Sequence, residues 1–416
     1  MELETYGKVD RWLGPPACFV FTLVRRLADM LFGRDSSAPR KILFLKLTEM
    51  GATVLARAAF ERAIARVGRE NVYLLTLEEN RALTELIGQI PPENILSMRR
   101  ESPFLFLRDA AARLRQIRRL GIDTTVDLEF FMRASALIGY MSGARLRVGI
   151  HRFNWEAPYR GDLLTHRLQY NPHIHTAHLY DALVRAIDET PGVCPLGKFE
   201  PDPAAMVPPR ISTTEAERAA VREKLERIAG RGIDGPIVLL NPNCNDVLPM
   251  RKWPIESYEA LARQILSRHG SATIFCIGLE VDAEPLAELC RRVDAQRMFS
   301  LAGETNFREL LTLFTVADVL ISADSGPPHF AAMTDIETVV LFGPETPSLF
   351  GPLGARAHVL SARFVCSPCV NPLNSRISPC DTNECMQAIP PEQVMSVVDE
   401  CLARRRMDAA THRAAG

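Results

Sequence analysis

At positions 41–47 the chain reads KILFLKL, an apolar run of strand length that ends in Thr48, Glu49, Met50 and Gly51. An apolar run bounded by turn residues is the pattern of a strand covered on both faces. Positions 52–65 then take helical spacing. The alternation continues, with strands expected at 71–77, 95–98, 123–128 and 145–150 and helices near 79–87, 104–120 and 134–141. Strands alternating with helices predict βαβ units and a mostly parallel sheet.

Over 151–175 the periodicity lapses, and a helix is expected near 176–187. Six prolines then fall between 191 and 209. Proline fixes φ and has no N–H to give to a helix interior, so this stretch reads as a connector. Beyond it a helix is expected near 214–228, with Thr213 or Thr214 as its N-cap. Strands follow at 236–241, 272–277, 318–322, 337–343 and 358–360, with helices near 255–267, 283–292, 307–315, 327–333 and 391–405. The expectation is an α/β protein of two doubly wound halves. An N-terminal amphipathic extension covers 1–40, a first domain 41–200, and a second 201–416 with a cysteine-rich loop at 364–386.

Composition narrows the function. The 416 residues carry 49 Lys+Arg against 50 Asp+Glu. Binding to nucleic-acid phosphates demands a basic excess, so no nucleic-acid partner is expected. Basic runs at 113–119 and 404–406 read as a solvated helix face or a frayed tail. Of ten cysteines, Cys18, Cys194, Cys244, Cys276, Cys290 and Cys401 are scattered, and four cluster between Cys366 and Cys385. Such scatter in a long chain fits a reducing compartment, and no signal-peptide pattern is visible, so a cytoplasmic location is expected.

Residues 12–32 read WLGPPACFVFTLVRRLADMLF. Their apolar part, 15–24, is far short of the roughly 20 residues that cross a bilayer. Two readings stand. One is an interfacial helix making peripheral membrane contact, with Phe19, Leu23, Leu27, Met30 and Leu31 on one side and Arg25 and Arg26 at the rim. The other is a helix packed on the protein's own surface.

The unusual residues fall repeatedly just after strands: Met50-Gly51, Asn241-Pro242-Asn243, Gly278, Asp324-Ser325-Gly326 and Gly343-Pro344-Glu345. In open parallel sheets ligands bind outside the carboxyl ends of strands, so these turns predict a cleft between the halves. In SADSGPPHFAAM (322–333), Gly326 and Pro327 open a helix with Ser325 near its N-cap. Helix N-termini offer free N–H groups to a diphosphate, and His329 in the first turn is placed to donate to a phosphate oxygen. The competing reading is simple capping by Asp324 and Ser325, with His329 a structural hydrogen-bonder. In MRKWP (250–254), Lys252 is a cation suited to a pyrophosphate leaving group, Trp253 is expected in the core, and Arg251 is expected to be solvated. No G-x-G-x-x-G follows the first strand, and there is no Walker loop, G-x-S-x-G elbow or H-E-x-x-H, which disfavours dinucleotide, NTPase, hydrolase and metalloprotease chemistry.

Taken together these segments resemble glycosyltransferase family 9, whose best-known members are lipopolysaccharide heptosyltransferases. KILFLKLTEMGATVLARAAFERA (41–63) is similar to that family's opening strand, glycine turn and helix. TTVDLEFFMRASALIGYMSGARLRVGI (124–150) resembles its D-L-Q-x-x-x-R-S element, and LLNPNCNDVLPMRKWPIESYEALA (239–262) its H-P-G…K-x-W-P stretch. LAGETNFRELLTLFTVADVLISADSGPPHFAA (301–332) is similar to its L-x-G-x-T…D-[ST]-G-x-x-H signature, and LFGPETPSLFGPLG (341–354) to its L-F-G-P-T-x-P segment.

The resemblance implies a GT-B type fold of two facing Rossmann-like domains and inverting, metal-independent transfer that requires no cofactor. The donor would be a nucleotide-diphosphate sugar, ADP-heptose foremost. The acceptor would be a cell-envelope saccharide, such as lipopolysaccharide core, or another lipid-linked sugar. Lys252 would balance the diphosphate. Asp324, Ser325, Gly326 and His329 would line the donor phosphates, and Asn243, Gly278 and Gly343 would shape the nucleotide pocket. Lys46, Gly51, Glu129 and Arg133 would face the acceptor.

Two departures matter. The opening turn of the family reads Gly-Asp, and that Asp is the expected general base, but Ala52 stands here. Glu49 and Glu129 are the candidate replacements; with neither, the chain is a catalytically impaired nucleotide-sugar-binding protein. The second-half turn reads Asn-Pro-Asn where the family has His-Pro-Gly, which leaves another donor sugar open. Cys366, Cys369, Cys380 and Cys385 have the spacing C-x2-C-x10-C-x4-C. That spacing suits a structural tetrahedral zinc site or a set of thiols pinning a loop; no catalytic metal is expected.

Overall fold

In the computed structural model, which describes all residues except 1–2, 33–37, 155–156, 193, 244–247 and 416, the chain forms two contact units. The first comprises Met1–Val207 and Val370–Ile377; the second comprises Pro208–Cys369 and Ser378–Gly416. Cys244 lies outside the described residues.

The first unit runs α1 (Leu3–Phe32), β1 (Ile42–Leu45), α2 (Met50–Val54), α3 (Arg57–Val67), β2 (Val72–Leu77), α4 (Glu78–Ile87), β3 (Ile95–Met98), α5 (Pro103–Leu120), β4 (Thr124–Asp127), α6 (Arg133–Met141), β5 (Leu146–His151), β6 (His166–Gln169) and α7 (Thr176–Arg185). Its strands lie in the order β3-β2-β1-β4-β5-β6 and pair in parallel. Every residue of β1, β2, β3 and β4 is buried, as a parallel sheet with both faces covered requires.

The second unit runs α8 (Glu215–Ala229), β7 (Ile237–Asn241), α9 (Ile255–Arg268), β8 (Thr273–Cys276), α10 (Ala283–Asp294), β9 (Met298–Ser300), α11 (Phe307–Val316), β10 (Val319–Ala323), α12 (Gly326–Ala331), β11 (Glu337–Phe342), α13 (Pro347–Phe350), β12 (Ala357–Ser361), α14 (Glu384–Gln387) and α15 (Pro391–Ala415). Its sheet has the order β12-β11-β10-β7-β8-β9, again parallel. Each unit is thus Rossmann-like. In both sheets the strand order reverses once, between β1 and β4 and between β7 and β10, and such switch points are where doubly wound sheets bind ligands.

Several expectations are refined. The helix expected over 52–65 is two helices, α2 and α3, separated by Leu55 and Ala56. β6 and β9 were not expected. Both are edge strands, and HRLQ (166–169) carries no apolar run because an edge needs less burial. Thr214, not Thr213, caps α8. Its hydroxyl accepts from Glu217 N–H while Glu217 reaches back to the Thr214 N–H, a full capping box.

α1 packs through small and polar residues. Gly14, Cys18, Thr22 and Arg25 are buried, and Cys18 clusters with Ala136 of α6 and Leu163. Arg25 bridges Asp29 and Asp162 at 2.5 and 2.6 Å. The approach is close. A Cβ on Gly161, which sits at φ +70°, would lie 2.6 Å from the Cys18 carbonyl oxygen.

Candidate active site

At the switch point of the first sheet β1 feeds Lys46, Leu47 and Thr48, and β4 feeds Leu128 and Glu129. The parallel register sets Leu45 opposite Asp127. This brings Glu129 to the turn after β1. Its Oε1 accepts from Leu47 N–H at 2.6 Å, Thr48 N–H at 2.7 Å and the Lys46 ammonium at 3.1 Å, and Oε2 accepts from the Thr48 hydroxyl at 3.1 Å. Lys46 is itself buried. Burial pulls its ammonium below the ordinary lysine value, and the Glu129 charge opposes that shift. Glu129 therefore latches two strand ends together.

Beside it, Glu49 is the N-cap of α2 with φ +59°, a left-handed conformation uncommon for a residue other than glycine. Its carboxylate is about one-third exposed, is 3.9 Å from Lys46, and is ion-paired to Arg376. Arg376 comes from the segment Val370–Ile377 that belongs to this unit, and nothing in its sequence context marked it. Ala52 is buried in α2. Below the turn Asp127 is buried against Arg160, and it accepts from the Glu129 N–H and the Ser135 hydroxyl at 3.0 and 2.9 Å. Burial raises the Asp127 carboxyl, with Arg160 opposing. Arg133, by contrast, is engaged with α1: its N–H and guanidinium bind Asp10 at 3.0 Å, and Nε donates to the Tyr159 carbonyl.

At the switch point of the second sheet Asn241 lies opposite Ser322. Its Nδ2 donates to the Ser322 hydroxyl at 2.8 Å and to the Ser325 hydroxyl at 3.1 Å. Ser325 is the N-cap of α12, yet its hydroxyl makes no cap bond. It donates instead to the Ala323 carbonyl at 3.1 Å. The simple capping reading is therefore not what this serine does. Gly326 opens α12, and His329 is buried within it. Asn243 is half-buried after β7, and Gly278 is half-buried after β8.

Arg251, expected in solvent, is instead buried. Its Nη1 lies 3.5 Å from Asp324 and 3.3 Å from Glu345. The reason is the turn after β11, which carries a second buried carboxylate to Asp324, so a cation is needed between them. Burial first, and the Asp324 charge second, hold Glu345 well above the ordinary carboxylate range, while burial also raises Asp324. The Asp324 carboxyl thus faces Arg251 and Glu345. Asp324 is thereby turned toward protein groups.

Lys252 follows Arg251 and is half-buried, with its carbonyl accepting from Asn383 Nδ2 at 2.9 Å. Trp253 is in the core as expected, with Nε1 donating to the Ile389 carbonyl at 3.0 Å. Gly343 is needed for a local packing reason, because a Cβ there would come within 2.6 Å of Met386 Sδ and 3.0 Å of Cys385 Sγ. The cysteine-rich loop is pinned to the same turn, with Cys369 N–H donating to the Pro344 carbonyl at 2.9 Å and Ser367 Oγ to the Gly343 carbonyl at 2.5 Å. Cys366 and Cys380 are exposed, and Cys369 and Cys385 are half-buried thiols. Among the described residues, the group of three whose metal-type atoms lie within 4.8 Å of one another is Glu337, His358 and Cys401. There Arg356 and Arg404 already neutralise Glu337, so the cluster is an ion-pair network.

Comparison with known proteins adds four findings. Residues 113–376 match the model of glycosyltransferase family 9 (heptosyltransferase). Lipopolysaccharide heptosyltransferase 2 of Salmonella typhimurium is 25% identical over 213 residues, 50% of this chain and 58% of that protein; the match thus spans little more than half the relative's length. The structure of E. coli ADP-heptose lps heptosyltransferase II superposes with a TM-score of 0.67 at 18% identity, covering 88% of this chain and 99% of that one. E. coli heptosyltransferase WaaC with ADP gives 0.59 at 14% identity, covering 86% and 99%.

Proposed function

The chain belongs to glycosyltransferase family 9, and from that premise we propose that it transfers a heptose from ADP-heptose to a hydroxyl of a lipid-linked cell-envelope saccharide, such as lipopolysaccharide core, at the cytoplasmic face of a membrane. The observation that carries this reading is the convergence of the donor-motif residues on one sheet edge. The strand order puts β11, β10, β7 and β8 side by side, so Gly343, Asp324, Ser325, Asn243 and Gly278 all follow neighbouring strands at the switch point. ADP is bound in the WaaC structure, which supports adenosine diphosphate as the donor's carrier.

In this mechanism the acceptor oxygen attacks the anomeric carbon as the bond to the diphosphate breaks, with inversion. Lys252 neutralises the charge that grows on the leaving diphosphate, so no metal ion is required. His329 and the Ser325 turn line the phosphates. Asp324, Glu345 and Arg251 fix the shape of that turn. Glu49 is the group that takes the acceptor proton: it is partly exposed at the strained turn after β1, whereas Oε1 of Glu129 already holds three donors.

The test is a thermal-shift and calorimetric titration with ADP, ADP-heptose and a UDP-sugar, followed by a transfer assay. Stabilisation by the adenosine ligands, reduced in Lys252→Ala, supports the reading. Equal shifts in parent and variant place the donor elsewhere. Binding without product from any donor leaves a nucleotide-sugar-binding protein.

A further inference from the structure

The outer face of α1 has the pattern of a core helix but no protein over it. Val9, Trp12, Leu13, Phe19, Val20, Leu23, Val24, Leu27, Met30 and Leu31 recur at spacings of three and four, the stripe with which helices normally meet a core. Here these side chains are 46 to 81% exposed. The opposite, small and polar face is the one packed on the unit. A contiguous apolar patch of this kind marks an interaction site. From Val9 to Leu31 it is about 33 Å long, at roughly 1.5 Å per residue.

Charge identifies the occupant. Among the described side chains of α1 the acids are held inward, Asp10 on Arg133 and Asp29 on Arg25. The exposed charges are cationic: Arg11, and Arg26 with its side chain 67% exposed and 3.6 Å from Asp162. An apolar stripe edged by arginines, with its acids turned away, complements an anionic lipid surface. The helix lies on such a surface instead of crossing it. Pro15 and Pro16 have no N–H, so the ladder bonds to the carbonyls of Arg11 and Trp12 cannot form, and a bilayer core does not tolerate such groups facing lipid. No helix among the described residues is long and apolar enough to cross a membrane.

We propose that the outer face of α1, from Val9 to Leu31, is a docking surface for an anionic bilayer, lying in its headgroup–acyl boundary. This deepens the transferase reading, which supplies only the location of the acceptor, by naming the surface that brings the protein there.

Vesicle binding needs neither donor nor acceptor, so it succeeds or fails independently of transfer. The full chain is sedimented with phosphatidylglycerol–phosphatidylcholine vesicles and with pure phosphatidylcholine vesicles, and tryptophan emission is recorded. The parent is expected to bind the anionic vesicles with a blue shift that Trp12→Phe removes. The triple variant Phe19→Glu/Leu23→Glu/Leu27→Glu is expected to lose roughly tenfold or more in affinity, equivalent to at least about 1.4 kcal/mol. It should keep the parent's melting temperature, because these residues point away from the protein. Arg11→Gln/Arg26→Gln is expected to bind anionic vesicles more weakly and with less dependence on salt. A parent that does not bind vesicles, or a triple variant that binds as well as the parent, overturns the proposal. So does a parent that dimerises through this face without binding lipid, with the triple variant monomeric.

Discussion

The ammonium of Lys46 lies 3.1 Å from Oε1 of Glu129, both side chains almost fully buried, at the point where the first sheet reverses its strand order. The pair is also tied to the backbone, since the same Oε1 accepts the N–H groups of Leu47 and Thr48. Burying two charges is unfavourable unless their remaining bonding capacity is met, and here it is. Glu129→Leu should cost about 3–5 kcal/mol by stranding the lysine. The double variant Lys46→Met/Glu129→Leu should cost less than the sum of the singles. Urea denaturation of the four proteins measures the coupling; additive losses would show that the pair does not act as a unit.

Glu49 and Glu129 should separate by what they damage. Glu49→Gln is expected to lower kcat by about 10²–10⁴-fold, the range for loss of a general base, with little change in melting temperature. Glu129→Gln is expected to lower stability first. Full turnover by Glu49→Gln sinks the assignment of the base.

Stability of the second unit should depend on Glu345. Its carboxyl is raised well above the ordinary 4.5 by burial and by Asp324. Above pH 4.5 the unfolded chain holds this proton less tightly than the folded chain does. Folding then loses stability as pH rises toward the raised value. Glu345→Gln keeps a donor toward Asp324 and cannot ionise, so the fall in melting temperature from mildly acidic to neutral pH should flatten. An unchanged slope assigns the pH dependence to other groups.

Gly161→Ala tests how α1 is held. The new Cβ would meet the Cys18 carbonyl and the Thr22 hydroxyl at 2.6 and 2.7 Å, and the backbone there is at φ +70°. A loss of about 1–3 kcal/mol is expected from overpacking and left-handed strain together. Hydrogen exchange should show faster opening of α1 than of β1. Parent-like exchange in α1 would mean that the helix does not sit against residue 161.

Much of this architecture is legible in the chain. KILFLKL, PIVLLN and ETVVLFG announce buried parallel strands because a strand covered on both faces has no polar side to show. The turns after them announce the site because the carboxyl edge of such a sheet is where irregular, polar chain must go. The edge strands β6 and β9 left little trace: HRLQ is polar because one side is open, and MFS is only 3 residues long. Arg251 also escaped, although it stands next to Lys252, which was singled out.

Local matters can be read along the chain: periodicity, turn chemistry, and the order of motifs that marks the family. Partners are set only once the chain is folded. Only the register of β1 against β4 brings Glu129 under the amides of Leu47 and Thr48, 82 and 81 positions away. Only the approach of the turn after β11 to Asp324 drags Arg251 out of water. Folding also decides which way α1 faces, because the stripe that local pattern assigns to a core is excluded from it once Gly14, Cys18 and Thr22 take the closer contact. Burial and charge pairing depend on neighbours distant in sequence, and no window along the chain contains both members.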